Sequence, residues 1–103
     1  MIGYRFLPPA ETEMIEASRF YEARSEGLGL EFLDGVQRVI DALREHPRLG
    51  QSVGRGFRRV VLRRFPFSLI HSEEADEIVI IAVAHQKRRP YYWRGREDTH
   101  GEA

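Results

Sequence analysis

Ile78-Val79-Ile80-Ile81-Ala82-Val83-Ala84 is apolar without a break, and the polar stretch Glu73-Glu74-Ala75-Asp76 stands before it. A run this short, rich in Val and Ile and bounded by a turn, fits a central strand covered on at least part of both faces. Upstream of the turn, Phe67 to Ser72 reads as another strand. Earlier still, Phe57 to Phe65 has a period of two: Phe57, Arg59, Val61, Arg63 and Phe65 would share one face, and Arg58, Val60, Leu62 and Arg64 the other. Pro66 cannot donate to a ladder and argues for a bulge or an edge position.

Before these strands the period is helical. Phe32, Leu33, Val36, Val39, Ile40 and Leu43 form a wide apolar stripe, backed by Glu31, Asp34, Gln37, Arg38, Asp41 and Arg44. His46-Pro47 ends this helix, because the residue before proline is pushed out of the α region. Gly35 within it predicts a close backbone approach or simple tolerance. Arg48 to Gly56, with three glycines, reads as loop. Ala10, Met14, Ala17 and Tyr21 mark an earlier helix that begins at Pro9, carries Glu11 and Glu13 near its start and stops near Gly27. Ile2 to Leu7 alternates as a short strand that Pro8-Pro9 closes. The order is β-α-α-β-β-β. The expected fold is α+β, a helical hairpin packed on an antiparallel sheet.

At 103 residues there is room for one domain, taken as residues 1–96. The polar segment 97–103 has no apolar anchor and is expected to fray. The chain has no cysteine, which excludes disulfides, thiolate zinc sites and a cysteine nucleophile; a reducing cytoplasm is the expected home. No apolar run approaches a membrane span, and the first residues lack a signal peptide's basic and apolar segments. Net charge is zero, but its distribution is uneven. Residues 1–52 carry six Arg against nine acids, and residues 53–103 carry ten basic residues against seven acids. Two acid-free basic blocks result: Arg55, Arg58, Arg59, Arg63 and Arg64, then Lys87, Arg88, Arg89, Arg94 and Arg96.

There is no phosphate loop, dinucleotide glycine fingerprint or His-Glu-x-x-His helix. His46, His71, His85 and His100 lack ligand spacing, so no metal site is expected, and no cofactor is implied. Chemistry concentrates in Ala84-His85-Gln86-Lys87-Arg88-Arg89-Pro90-Tyr91-Tyr92-Trp93-Arg94. Arginine offers a planar fork for carboxylate or phosphate, the aromatics offer stacking faces, and histidine exchanges protons near neutral pH. Such a segment can bind nucleic acid or an acidic protein surface. Alternatively, Tyr91, Tyr92 and Trp93 fold back to cap the core.

The sequence resembles toxins of the RelE/ParE superfamily of type II toxin-antitoxin pairs, in particular the ParE or plasmid-stabilisation branch. The matching residues run in order: Phe20-Tyr21-Glu22 within Ala17 to Arg24; Gly27-Leu28-Gly29 with Phe32-Leu33; His46-Pro47 and Gly50; Arg59-Val60-Val61-Leu62-Arg63-Arg64-Phe65-Pro66-Phe67; and Ile81-Ala82-Val83-Ala84-His85 through Pro90, Tyr92 and Trp93. The resemblance implies a helical hairpin against an antiparallel sheet. It implies one of two activities: inhibition of DNA gyrase without a catalytic step, as in ParE-like members, or cleavage of messenger RNA on the ribosome, as in RelE-like members.

Metal-free RNA cleavage needs a base, a phosphate-binding cation and an acid. Arg59, Arg63 and Arg88 could hold phosphate, His85 could be base or acid, and Tyr92 could orient or donate. Against this, the strand region has arginine where RelE-like members use lysine, and arginine stays protonated. Lys87 is the only lysine. The gyrase reading is therefore preferred, with the ribonuclease and a non-toxic binding module as alternatives. Both toxin readings imply a cognate antitoxin and a toxin-antitoxin hetero-oligomer, and no membrane. Candidate contact residues for antitoxin or target are Arg58, Arg59, Arg63, Arg64, His85, Lys87, Arg88, Arg89, Tyr92 and Trp93.

Overall fold

Pro8 and Pro9 occupy the first turn of a helix, where an amide proton would have had no intrahelical acceptor. The computed structural model describes residues 1–96, so the expected fraying of 97–103 lies outside the described residues. The elements in chain order are β1 (Gly3–Phe6), α1 (Pro8–Arg24), α2 (Leu28–Glu45), β2 (Gln51–Ser52), β3 (Arg58–Val61), β4 (Phe67–Glu74) and β5 (Glu77–His85). The α+β class and helical hairpin expected from the sequence are present. The sheet is mixed rather than wholly antiparallel: its order is β1-β5-β4-β3-β2, and β1 runs parallel to β5. Local periodicity carries no information about which strand lies beside which, so this pairing was not readable.

The helices meet closely at Gly29, where a Cβ would lie 2.6 Å from the Ser18 carbonyl oxygen. Gly27, at φ 86°, turns the chain between them. The Glu22 carboxylate of α1 then accepts the amide protons of Gly27 at 2.9 Å and Gly29 at 3.0 Å, capping the start of α2 from its neighbour. Phe32, Val36, Ile40 and Leu43 are buried from α2, and Ala10 and Ala17 from α1, all against Leu69, Ile78, Ile80 and Val83 of the sheet. Burying a side chain of this size stabilises by roughly 1.5–3 kcal/mol, so this layer holds the hairpin down. Phe32 sits among the rings of Tyr21, Phe65 and Phe67.

The other face of β5 is buried too, as its sequence predicted. The register with β4 shifts from Ile70↔Ala82 to His71↔Ile80, so Ile81 has no opposite residue. This bulge turns both Ile81 and Ala82 to the second face, where they join Leu7, Phe57, Ile70, Val79 and Trp93. The cover on this side is the segment after β5, not a helix.

Three local readings change. The alternation from Phe57 to Phe65 is not one strand: β3 ends at Val61, Arg63 and Arg64 lie in the connection to β4, and Phe57 and Phe65 enter opposite core clusters. Pro66 belongs to that connection, and the bulge lies elsewhere. The glycine-rich loop contains the short strand β2; there Gly50, at φ 100°, would place a Cβ 2.6 Å from the Arg59 carbonyl oxygen. Gly35 has no close approach, since a Cβ there would meet nothing within 4 Å.

His71 of β4 is 1% exposed, and its Nε2 lies 3.0 Å from the Leu49 carbonyl oxygen, tying the 46–50 turn to the sheet. The ring donates from Nε2, and Nδ1 has no partner among the described residues. Burial lowers the pKa of His71, assisted by the Arg58 charge and opposed by the Leu49 bond. A folded pKa below the unfolded value means that the unfolded chain takes up the proton first as pH falls. Stability should thus hold above about pH 6.5 and decline as pH drops below it. Urea melts at about pH 7.5 and 5.5 should show this loss, and His71→Gln, which keeps a donor at the same reach, should reduce it. An unchanged loss in that variant would place its origin elsewhere.

Candidate functional site

Beyond Phe6, β1 no longer accompanies β5. The last ladder-like bond on that edge runs from the Leu7 amide to the Ile80 carbonyl, at 3.0 Å. Past it two side chains take the place of a strand. Arg96 Nη1 donates to the Ile81 carbonyl at 2.8 Å, and the Val83 amide donates to Glu13 Oε1 at 3.0 Å. Arg96 and Glu13 also bond each other, through Nη1 to Oε1 at 3.0 Å and Nη2 to Oε2 at 2.8 Å, with 18% and 15% of their side chains exposed. Tyr92 donates its hydroxyl to Glu13 Oε2 at 2.8 Å. One carboxylate from α1 therefore fastens the 86–96 segment at Tyr92 and Arg96.

Trp93 is the second fastening. It is 4% exposed and packs edge-on against Phe57 at 5.1 Å, in the core cluster of the second sheet face. The core-capping alternative thus describes Trp93 and, in part, Tyr92. Tyr91 is different. It is 48% exposed, with φ 63° in the left-handed region that residues bearing a Cβ avoid. The Arg94 guanidinium lies over its ring at 4.2 Å, as Arg88 lies over Tyr92 at 3.8 Å.

Between this segment and the sheet is a cleft of about 360 Å³. Arg59 of β3, His85 at the end of β5, and Gln86, Arg88, Arg89, Tyr91 and Tyr92 line it over an apolar floor that includes Val53, Val61 and Ile70. Among the described residues, no Asp or Glu lines it. The structure brings together Arg59, His85, Arg88, Arg89 and Tyr92 from the expected set, with Trp93 behind them. It does not bring in Arg63 and Arg64, which line a groove beside α2, nor Arg58, which donates to the Gly50 carbonyl at 2.9 Å. Lys87 is exposed and not among the lining residues.

His85 and Tyr92 are set as proton donors in this cleft. His85 Nδ1 accepts the Lys87 amide proton at 3.0 Å, so a neutral ring carries its proton on Nε2 and can donate there but not accept. Burial, followed by the bond to Glu13 and its negative charge, raises the Tyr92 pKa far above its ordinary value, so the phenol remains protonated. Glu13 in turn holds Arg96 charged. What the cleft offers is a set of donors over an apolar floor, suited to holding an anion. Among the described residues, no three His, Cys, Asp or Glu side chains converge as metal ligands would.

Sequence reading missed Glu13 and Arg96 as a pair. Glu13 was placed near the favourable start of α1, and Arg96 in a basic block, with no local signal joining positions 83 residues apart.

The model of the ParE toxin of type II toxin-antitoxin systems matches residues 4–90. The chain belongs to this family. A similar fold is seen in a solved chain from the chromosomal ParDE toxin-antitoxin system of P. aeruginosa, which is 20% identical, with a TM-score of 0.60 over 82% of this chain and 96% of that one. A search of curated proteins gave no match. Among the described residues, no helix of this ParE-family chain is long and apolar enough to cross a membrane.

Proposed function

We propose that this ParE-family toxin inhibits DNA gyrase by binding, with no bond-making step of its own, and that a cognate antitoxin neutralises it. The observation that carries the non-catalytic reading is that His85 and Tyr92 are set as proton donors. His85 accepts at Nδ1 from the Lys87 amide, and Tyr92 is bonded to Glu13, so neither is placed to take the proton of a 2′-hydroxyl. The convergence of Arg59, His85, Arg88 and Tyr92 favours the second reading, a ribosome-dependent ribonuclease.

Supercoiling by gyrase from the source organism, titrated with the purified protein, separates the two. Inhibition is expected from the wild type, with trapped cleaved DNA. His85→Ala and Tyr92→Phe should each retain it within about tenfold, because acid–base catalysis, typically worth 10²–10⁴-fold, is not in use. Unimpaired supercoiling by folded protein, with RNA cleavage that either substitution reduces by about 100-fold or more, would replace the gyrase reading with the ribonuclease.

The antitoxin has a suitable seat in a different place. A groove of about 430 Å³ runs between α2 and the β3–β4 connection, with Val39, Val61, Leu62 and Phe65 as apolar lining, Arg38, Arg63 and Arg64 as its cations, and Glu31 and Asp34 as its acids, Glu31 pairing with Arg64 at 2.8 Å. The open space over Gly35 leaves the helix surface smooth there. An amphipathic segment with acidic flanks fits this chemistry, and the toxin-antitoxin complex would be a hetero-oligomer held on this side. Arg63 and Arg64 are then antitoxin contacts, while Arg59, Arg88 and Arg89 belong to the target side.

A further inference from the structure

We propose that the cleft under the 86–93 segment is a binding site for single-stranded DNA, holding a phosphodiester between Arg59, Arg88 and Arg89 and stacking one unpaired base on Tyr91. The inference rests on the gyrase reading only for its setting, since an enzyme that breaks and rejoins DNA presents such strand ends.

The lining favours an anion. Three exposed guanidiniums and, among the described residues, no carboxylate line the space, so its local charge attracts an anion over a neutral or cationic ligand. The guanidiniums are also pre-positioned. Arg59 Nη2 donates to Gln51 Oε1 at 2.8 Å, and the Arg88 guanidinium carbon lies over the Tyr92 ring at 3.8 Å. A guanidinium over a ring face retains N–H donors for other partners, and its planar fork matches two phosphate oxygens at once.

Tyr91 narrows the class of anion. A large aromatic residue held half-exposed in a left-handed backbone conformation is strained, and only part of its ring is covered in return, edge-on to Trp93 at 5.9 Å. With Arg94 lying over it at 4.2 Å, the ring is a fixed flat platform beside the cations. An acidic peptide has charge but nothing flat to place there. A nucleotide has both, and its base must be unpaired to reach the ring, which selects single strands and strand ends over intact duplex.

The test needs no gyrase. Fluorescence anisotropy of a labelled oligothymidylate of about 12 nucleotides should show saturable binding that weakens steeply between about 50 and 200 mM salt. Arg88→Glu should weaken it strongly. The decisive variant is Tyr91→Gly: glycine adopts φ 63° without strain, so the melting temperature should be unchanged or raised, while DNA binding falls roughly tenfold with the lost stacking. Failure of the wild type to bind at low salt, wild-type affinity in Tyr91→Gly, or displacement by polyglutamate as effective as by DNA would each overturn the proposal. Gyrase inhibition without DNA binding would remove this site and leave the gyrase reading standing. DNA binding without gyrase inhibition would do the reverse.

Discussion

Glu13→Ala should be among the most destabilising single substitutions in this protein, lowering its stability by about 3 kcal/mol or more. One carboxylate satisfies the Arg96 guanidinium, the Tyr92 hydroxyl and the Val83 amide. Removing it strands a mostly buried cation, leaves two donors without an acceptor and reopens the β5 edge beyond β1. This differs from an exposed ion pair such as Arg64–Glu31, whose side chains are 66% and 49% exposed and whose loss would cost well under about 1 kcal/mol. At about 4–8 °C per kcal/mol for a domain of this size, melting should fall by more than about 10 °C. Trp93 is the only tryptophan, so its fluorescence reports whether the 86–96 segment is docked. Glu13→Gln keeps an acceptor for Val83 and should fall between wild type and Glu13→Ala. A loss below about 1 kcal/mol in Glu13→Ala would mean that the pair behaves as a surface salt bridge and that Trp93 alone holds the segment.

Reversing the charge at Arg59 and Arg88 together should raise the concentration needed to inhibit gyrase by at least about 100-fold, as expected when two central arginines of a binding site are lost. Both side chains reach solvent, so secondary structure and melting should change little. The matched control, Arg19→Glu with Arg24→Glu on exposed α1 positions, alters net charge equally and should leave inhibition near wild type. Equal losses in both double variants would mean that gyrase responds to overall charge and not to the cleft. No loss in Arg59→Glu/Arg88→Glu would place the target surface elsewhere, with the groove beside α2 next to be altered.

The two predictions probe different layers of the same segment. Glu13 and Trp93 decide whether residues 86–96 lie on the sheet; Arg59, Arg88, Arg89 and Tyr91 decide what the closed segment presents. The separation follows from the bulge at Ile81, which turns two consecutive apolar side chains to the second face and gives Trp93 a surface to dock on. Without that surface the basic residues would have no fixed geometry, and their charge would act only as a diffuse field.

Elements whose signal lies within a few residues were legible from the sequence. The α2 stripe from Phe32 to Leu43, the proline start of α1, the polar turn before β5 and the burial of β5 on both faces all follow from local period and backbone restriction. The family resemblance was legible from residues spread along nearly the whole chain, and so was the concentration of cations and aromatics after Ala84. Pairing in space was not. That β1 lies parallel to β5, that Val61 ends β3, and that Gly35 faces open space instead of a neighbour depend on where distant segments come to rest. The division of the arginines was equally hidden: Arg59 and Arg63, four positions apart and both placed on one face by alternation, reach different sites because the strand stops between them. Glu13 and Arg96 make the sharpest case. Each has an ordinary local reading, and only the fold removes water from around them and brings a carboxylate and a guanidinium to 2.8 Å, where their charges must be met by each other.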